Sequence, residues 1–273
     1  MIDLRLTRRA VINGALAGGA IATAAALDPR RAARAEASQK TFLLVHGAAC
    51  GGWVWRRVAD RLERQGCKVF APTLTGLGER SHLLSKDVGI DTHITDIANV
   101  VRWESLDGIC LVAHSYAGWP CGAALDRIGD KVASVVWLDA FLPEDGRKLD
   151  ELLAESARAA IEDMAAGGEL GMPTPARLSQ SSVNPRDEAF VRAKATPQPV
   201  ATYAQPLRYA GGLDKIARKT YVRLPAFPNP AFDQAYAACK ADSSWSTVAL
   251  ADCGHFAMID APDRLAELLL RAA

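Results

Sequence analysis

From Thr41 onward, short apolar runs alternate with amphipathic stretches, the sequence form of an α/β fold with a mostly parallel central sheet flanked by helices. Six runs read as buried strands: 41–46, 68–71, 109–113, 133–138, 219–224 and 247–251. Each is brief, apolar or β-branched, and bounded by Gly, Pro, Asp or Ser. Between the first two, Val54, Val58 and Leu62 share one helical face and Gly66 supplies a stop, which predicts a helix over 54–65. Further helices are predicted over 92–103 with Asp91 as N-cap, over 115–128, and over 262–271, which opens on Pro262. The alternation breaks between 143 and 217, where helical stretches around 149–165 and 187–195 are separated by Gly- and Pro-bearing loops. A departure of roughly 70 residues is too long for a connection and too short for a separate domain, so it reads as a cap built on the sheet and walling a pocket.

Composition narrows the partners. Hydrophobic residues are 49% and charged residues 23%, which excludes a disordered or collagen-like chain. A formal charge of +1 provides no excess with which to hold nucleic acid or an anionic membrane, and a small molecule is the expected partner. The charge is uneven, however. Arg5, Arg8, Arg9, Arg30, Arg31 and Arg34 crowd the start, against Asp3 and Asp28 only. Arg8-Arg9 precedes an apolar Ala/Gly-rich run over 11–26, and small residues follow around Ala35 and Ala37. Residues 1–37 therefore read as a twin-arginine export signal, leaving 38–273 as a periplasmic or secreted domain that is not held in the membrane after cleavage. The run is shorter than the roughly 20 apolar residues that span a bilayer. Export permits disulfides among Cys50, Cys67, Cys110, Cys121, Cys239 and Cys253, but sequence leaves the pairing open, and no spacing suits a metal.

The candidate chemistry starts where the strand 109–113 meets helical sequence at Ala113-His114-Ser115-Tyr116-Ala117-Gly118. A strand-to-helix reversal with small residues two before and two after a Ser lifts its hydroxyl above the sheet; here Ala replaces both of the usual Gly. His255, in Asp252-Cys253-Gly254-His255-Phe256, follows the last strand, where the base of a Ser, acid, His order belongs. His46, His82, His93 and His114 are assigned to packing or surface. The small-residue loop His46-Gly47-Ala48-Ala49-Cys50-Gly51-Gly52 allows backbone amides to converge on a developing oxyanion, and the Ala48 and Tyr116 N–H groups are the expected pair.

These stretches, with Pro72-Thr73-Leu74-Thr75-Gly76-Leu77-Gly78, Leu138-Asp139-Ala140-Phe141-Leu142-Pro143 and Gly254-His255-Phe256-Ala257-Met258, make the chain from about 41 to 271 resemble the α/β-hydrolase superfamily. Within it the resemblance is to the branch of plant methyl esterases, hydroxynitrile lyases and similar bacterial esterases. It implies an α/β-hydrolase fold with a helical cap, Ser115 as nucleophile, His255 as general base then acid, and no metal or organic cofactor. Those relatives place an acid after the penultimate strand, whereas here Tyr221-Val222-Arg223-Leu224 runs into Pro225 without a carboxylate. Other α/β hydrolases, the haloalkane dehalogenases among them, take the acid from the end of the strand after the nucleophile helix, so the resemblance implies Asp139, with Asp233, Asp242 and Asp252 as alternatives. The expected activity is hydrolysis of a small hydrophobic or aromatic carboxylic ester, with Trp53 and Trp119 as pocket residues. Amide or carbamate hydrolysis uses the same groups, a lyase is disfavoured because Phe256 stands where a Lys follows the His, and a small-molecule receptor is the non-catalytic alternative. Oligomeric state is open.

Overall fold

The computed structural model describes residues 39–174 and 184–273. The expected export segment lies outside the described residues.

Six parallel strands form the main sheet: β1 Thr41–Val45, β2 Lys68–Phe70, β3 Ile109–His114, β4 Val132–Leu138, β7 Lys219–Arg223 and β8 Trp245–Ala249. Their order is β2-β1-β3-β4-β7-β8. Two short strands, β5 Gly171–Met172 and β6 Gln198–Pro199, pair antiparallel elsewhere. The helices are α1 Arg56–Arg64, α2 Ile90–Trp103, α3 Gly118–Ile128, α4 Glu155–Ala166, α5 Pro185–Lys194, α6 Ala201–Ala204, α7 Pro230–Ala241, α8 Ala257–Asp260 and α9 Pro262–Ala272.

Successive strand residues face opposite ways, and both faces are covered. Phe42 and Leu44 of β1 pack with Val58 and Leu62 of α1 and with Leu265 and Leu269 of α9. Leu43 and Val45 join the opposite cluster with Ile94 and Ile97 of α2 and Leu125 of α3. Strand order reverses between β1 and β3, so the loops leaving their carboxyl ends diverge and open a crevice there, the usual place for a ligand in such sheets. The His46–Ala48 loop and Ser115 both emerge at that point.

Most strands match their expected bounds to within a residue, and the larger differences have local causes. The last strand is Trp245–Ala249, two residues earlier than expected. Trp245 lies edge-on to the Trp137 and Tyr221 rings at 6.4 and 6.5 Å, and the register pairs it with Lys219. Asp91 is not an N-cap, because α2 begins at Ile90 after Gly89, whose N–H donates to Thr92 Oγ1 at 3.3 Å. The helix expected over 54–65 opens as a 3-10 turn, Gly52–Trp55, before α1. The unforeseen α7 has a legible start, since the Asn229 side chain accepts the Ala231 N–H at 3.1 Å and Pro230 takes the first helical position.

Between β4 and β7 the chain leaves the sheet through a 3-10 turn, Leu149–Leu152, and then α4, β5, α5, β6 and α6. Leu149, Ile161, Val200, Tyr203 and Leu207 of this excursion bury against the α2/α3 side. On the other side a two-pronged ion pair ties α5 to α1, Asp187 to Arg57, at 2.7 and 3.0 Å. Cap and sheet therefore share one packed interior.

Candidate active site

β3 delivers Ser115 into a turn that ordinary residues avoid. Its φ is +57°, and the chain passes at once into a 3-10 turn, Ser115–Ala117, and α3. Such a reversal brings flanking backbone close, and Ala113 and Ala117 are fully buried. At Gly118 even a methyl group fails, since a Cβ would collide with the Phe141 carbonyl oxygen and stand 2.7 Å from Trp137 Nε1.

Asp139 follows β4 with φ +47°, and its N–H extends the sheet by donating to the Val222 carbonyl at 2.7 Å. That places its wholly buried carboxylate between the ends of β4 and β7. One oxygen accepts the His255 Nδ1–H at 2.8 Å. The other accepts Arg223 Nη1 at 2.6 Å and the Leu224 N–H at 3.1 Å. His255 rides on the loop after β8, where the Gly254 N–H donates to Asp260 Oδ2 at 2.9 Å. Because a carboxylate only accepts, the proton of the neutral imidazole sits on Nδ1, and Nε2 is left to accept the Ser115 hydroxyl at 2.8 Å. Phe227 stacks on the imidazole at 4.3 Å and 20°. Ser115, His255 and Asp139 are thus hydrogen-bonded in series, an arrangement that can serve as nucleophile, base and orienting acid.

The other expected acids stand elsewhere. Asp233 pairs with Arg223 at 2.8 Å, Asp242 accepts the Ser244 N–H at 2.8 Å, and Asp252 is exposed. Among the remaining histidines, His82 is exposed, while His46, His93 and His114 are buried. His114, assigned to packing or surface, lies 4.4 Å ring to ring from His255 and donates from Nε2 to the His255 carbonyl at 2.9 Å. Burial, reinforced by His255, holds its pKa well below the usual value, so it is a neutral prop.

The His46–Ala48 loop presses on the elbow: a Cβ on Gly47 would lie 2.9 Å from both Ser115 Cβ and His114 Nδ1. Ala48 follows directly on Gly47 in this loop. Tyr116 is the second residue of the 3-10 turn, where amides have no acceptor within the helix. Next to Ala48, Ala49 (φ +59°) is held from the cap on both sides, its N–H by Gln198 Oε1 at 2.8 Å and its carbonyl by the Thr196 N–H at 3.0 Å. Trp53 meets Phe190 of α5 edge-on at 5.3 Å, with Lys194 above its ring, and Trp119 is fully buried in the core of α3.

Sequence reasoning passed over Arg223, Gln198 and Phe227. All six cysteines are buried and free. Among the described residues no cluster of three His, Cys, Asp or Glu could hold a metal, and no helix is long and apolar enough to cross a membrane.

Residues 42–268 match the family model described as "Alpha/beta hydrolase family". A carbendazim hydrolyzing esterase from Nocardioides sp. (strain SG-4G) is 36% identical over 238 residues, covering 84% of this chain and 97% of that protein. Methylesterase 4 of Arabidopsis thaliana is 32% identical over 39% of this chain and 41% of its own length. Among solved structures, an extracellular alpha/beta-hydrolase from a Paenibacillus species, described as sharing structural and functional homology with tobacco salicylic acid binding protein 2, superposes with a TM-score of 0.72. It has 19% identity and covers 86% of this chain and 99% of its own. A pyrethroid hydrolase from Sphingobium faniae JZ-2 gives 0.63 at 19% identity, over 86% of this chain and 97% of that one.

Proposed function

The chain belongs to the alpha/beta hydrolase family and is an ester hydrolase, and from that premise we propose that it cleaves small hydrophobic or aromatic carboxylic esters through a covalent intermediate on Ser115. The observation that carries this reading is the continuous run of hydrogen bonds from Ser115 Oγ through His255 to Asp139, each 2.8 Å long. Ser115 Oγ bonds to the ester carbonyl carbon as its proton passes to His255 Nε2. The Ala48 and Tyr116 amides take up the oxyanion, and the imidazolium stands beside the ionised Asp139. His255 then returns the proton to the departing alkoxide. Water, deprotonated by the same imidazole, attacks the acyl-enzyme and releases the acid.

Trp53 is the aromatic wall we assign to the substrate space, whereas Trp119, expected beside it, is fully buried in the hydrophobic core. The nearly full-length relative named as a carbendazim hydrolyzing esterase supports a small-molecule ester substrate. We further propose that residues 1–37 direct twin-arginine export, so that protein recovered from the periplasm or medium has lost 35 or 37 residues by mass; a full-length, membrane-bound chain contradicts that. The catalytic reading is tested by incubating the mature protein with p-nitrophenyl acetate and with carbendazim, quenching in acid and mapping the peptide that holds Ser115. An acyl mass on Ser115 is expected, and turnover without it, or turnover that survives Ser115→Ala, overturns the assignment.

A further inference from the structure

We propose that Arg223 is a positioning residue for this reaction, holding both the acid and the stacking ring that fix the His255 imidazole; the inference rests on the Ser115, His255 and Asp139 reading. Its guanidinium is 4% exposed and reaches four acceptors. Nη1 donates to Asp139 Oδ1 at 2.6 Å and to the Leu224 carbonyl at 2.7 Å. Nη2 donates to the Phe227 carbonyl at 3.0 Å, and Nε to Asp233 Oδ1 at 2.8 Å. Phe227 is the residue whose ring lies 4.3 Å from the imidazole. One side chain therefore fastens the carboxylate that accepts from His255 Nδ1 and the backbone that carries the ring on its face.

The chemistry gives this a consequence for turnover. Asp139 has no exposure, and neutral His255 offers it a hydrogen bond but no charge. A buried carboxylate without a counter-charge takes up a proton or turns toward water. Either response removes the negative charge needed beside the imidazolium as Ser115 loses its proton. The planar fork also fixes the carboxylate's rotation, because Oδ1 is engaged by Arg223 and the Leu224 amide, leaving Oδ2 for His255. A lysine carries the charge without the fork and cannot engage the Asp139 carboxylate and the Phe227 carbonyl together.

The test compares Arg223→Met, Arg223→Lys and, as the control for the outer ion pair, Asp233→Asn. Each variant is checked for folding by circular dichroism, then measured for kcat and KM on p-nitrophenyl acetate. The rate of labelling by a fluorophosphonate, which reacts with activated serines, and the low-field proton resonance of the His255 Nδ1–H complete the set. Arg223→Met is expected to lower kcat and the labelling rate about 100-fold, with KM changed less than about 3-fold and the low-field resonance shifted or lost. Arg223→Lys is expected to fall between, and Asp233→Asn to stay within about 2-fold of the parent. A folded Arg223→Met that keeps its kcat and its resonance overturns the proposal. If Arg223→Met does not fold, Arg223→Lys decides on the same readouts, and parental kcat and resonance there overturn it. If the parent protein neither turns over nor labels, the serine-esterase reading has failed. The resonance then decides separately, its loss in the Arg223 variants supporting the positioning role and its persistence overturning it.

Discussion

At the scale of single residues, the site depends on two backbones held where side chains are normally unwelcome, Ser115 at φ +57° and Asp139 at φ +47°. Both stand at strand ends, where the sheet supplies enough contacts to hold a strained turn. The proton inventory is then set by the acid, since Asp139 accepts only and fixes the Nδ1–H tautomer of His255. Asp139→Asn offers an amide donor toward that nitrogen and selects the opposite tautomer, leaving Nε2 unable to take the Ser115 proton. The expected loss in kcat is about 10⁴-fold with the fold retained, read from steady-state kinetics beside circular dichroism. A variant within tenfold of the parent would place the orienting acid elsewhere. Ser115 and His255 were legible because their roles follow from local pattern, a strand-turn-helix junction and a loop after the last strand. Arg223 was not, because its partner is fixed by the register Leu138 to Val222 across β4 and β7, which no local pattern states.

At the scale of elements, the cap does more than cover. Gln198 of β6 is buried and uses both ends of its amide, accepting from the Ala49 N–H at 2.8 Å and donating to Thr202 Oγ1 at 2.9 Å. The loop that carries Ala48, whose amide we propose as an oxyanion donor, is thereby fastened to the cap. Gln198→Leu leaves a buried N–H without its acceptor and is expected to cost about 1–3 kcal/mol of stability. Turnover should fall with little change in KM, because an oxyanion donor acts mainly in the transition state. Urea titration and steady-state kinetics check both halves, and unchanged stability and kcat would show the clamp to be idle. Most of the sheet could be read from apolar runs, whereas β5 and β6 could not. Two-residue strands carry no periodicity, and Gln198 is a polar residue in a buried place.

At the scale of the whole molecule, buried histidines make stability depend on pH. His46 and His93 are fully enclosed, and burial lowers their pKa from 6.5 to about 4. Each is committed as a neutral ring: His46 accepts the Leu74 N–H at 3.0 Å, and His93 bridges the Tyr116 hydroxyl and the Thr75 carbonyl at 2.8 and 2.9 Å. The unfolded chain therefore binds protons first as pH falls below 6.5, and stability present at neutral pH is lost progressively down to about 4. From pH 7 to pH 5 the two together account for about 4 kcal/mol, and His114 acts in the same direction. Urea unfolding at the two pH values should show a loss of that order, reduced in His93→Gln; a flat profile would contradict it.

The claim on which everything above turns is that Ser115 forms a covalent acyl-enzyme, and rapid mixing of the mature protein with a p-nitrophenyl ester tests it most directly. The account predicts a burst of p-nitrophenol equal to the enzyme concentration followed by slower steady release, and neither phase in Ser115→Ala. Release that starts linear, or a burst that persists in Ser115→Ala, would contradict it.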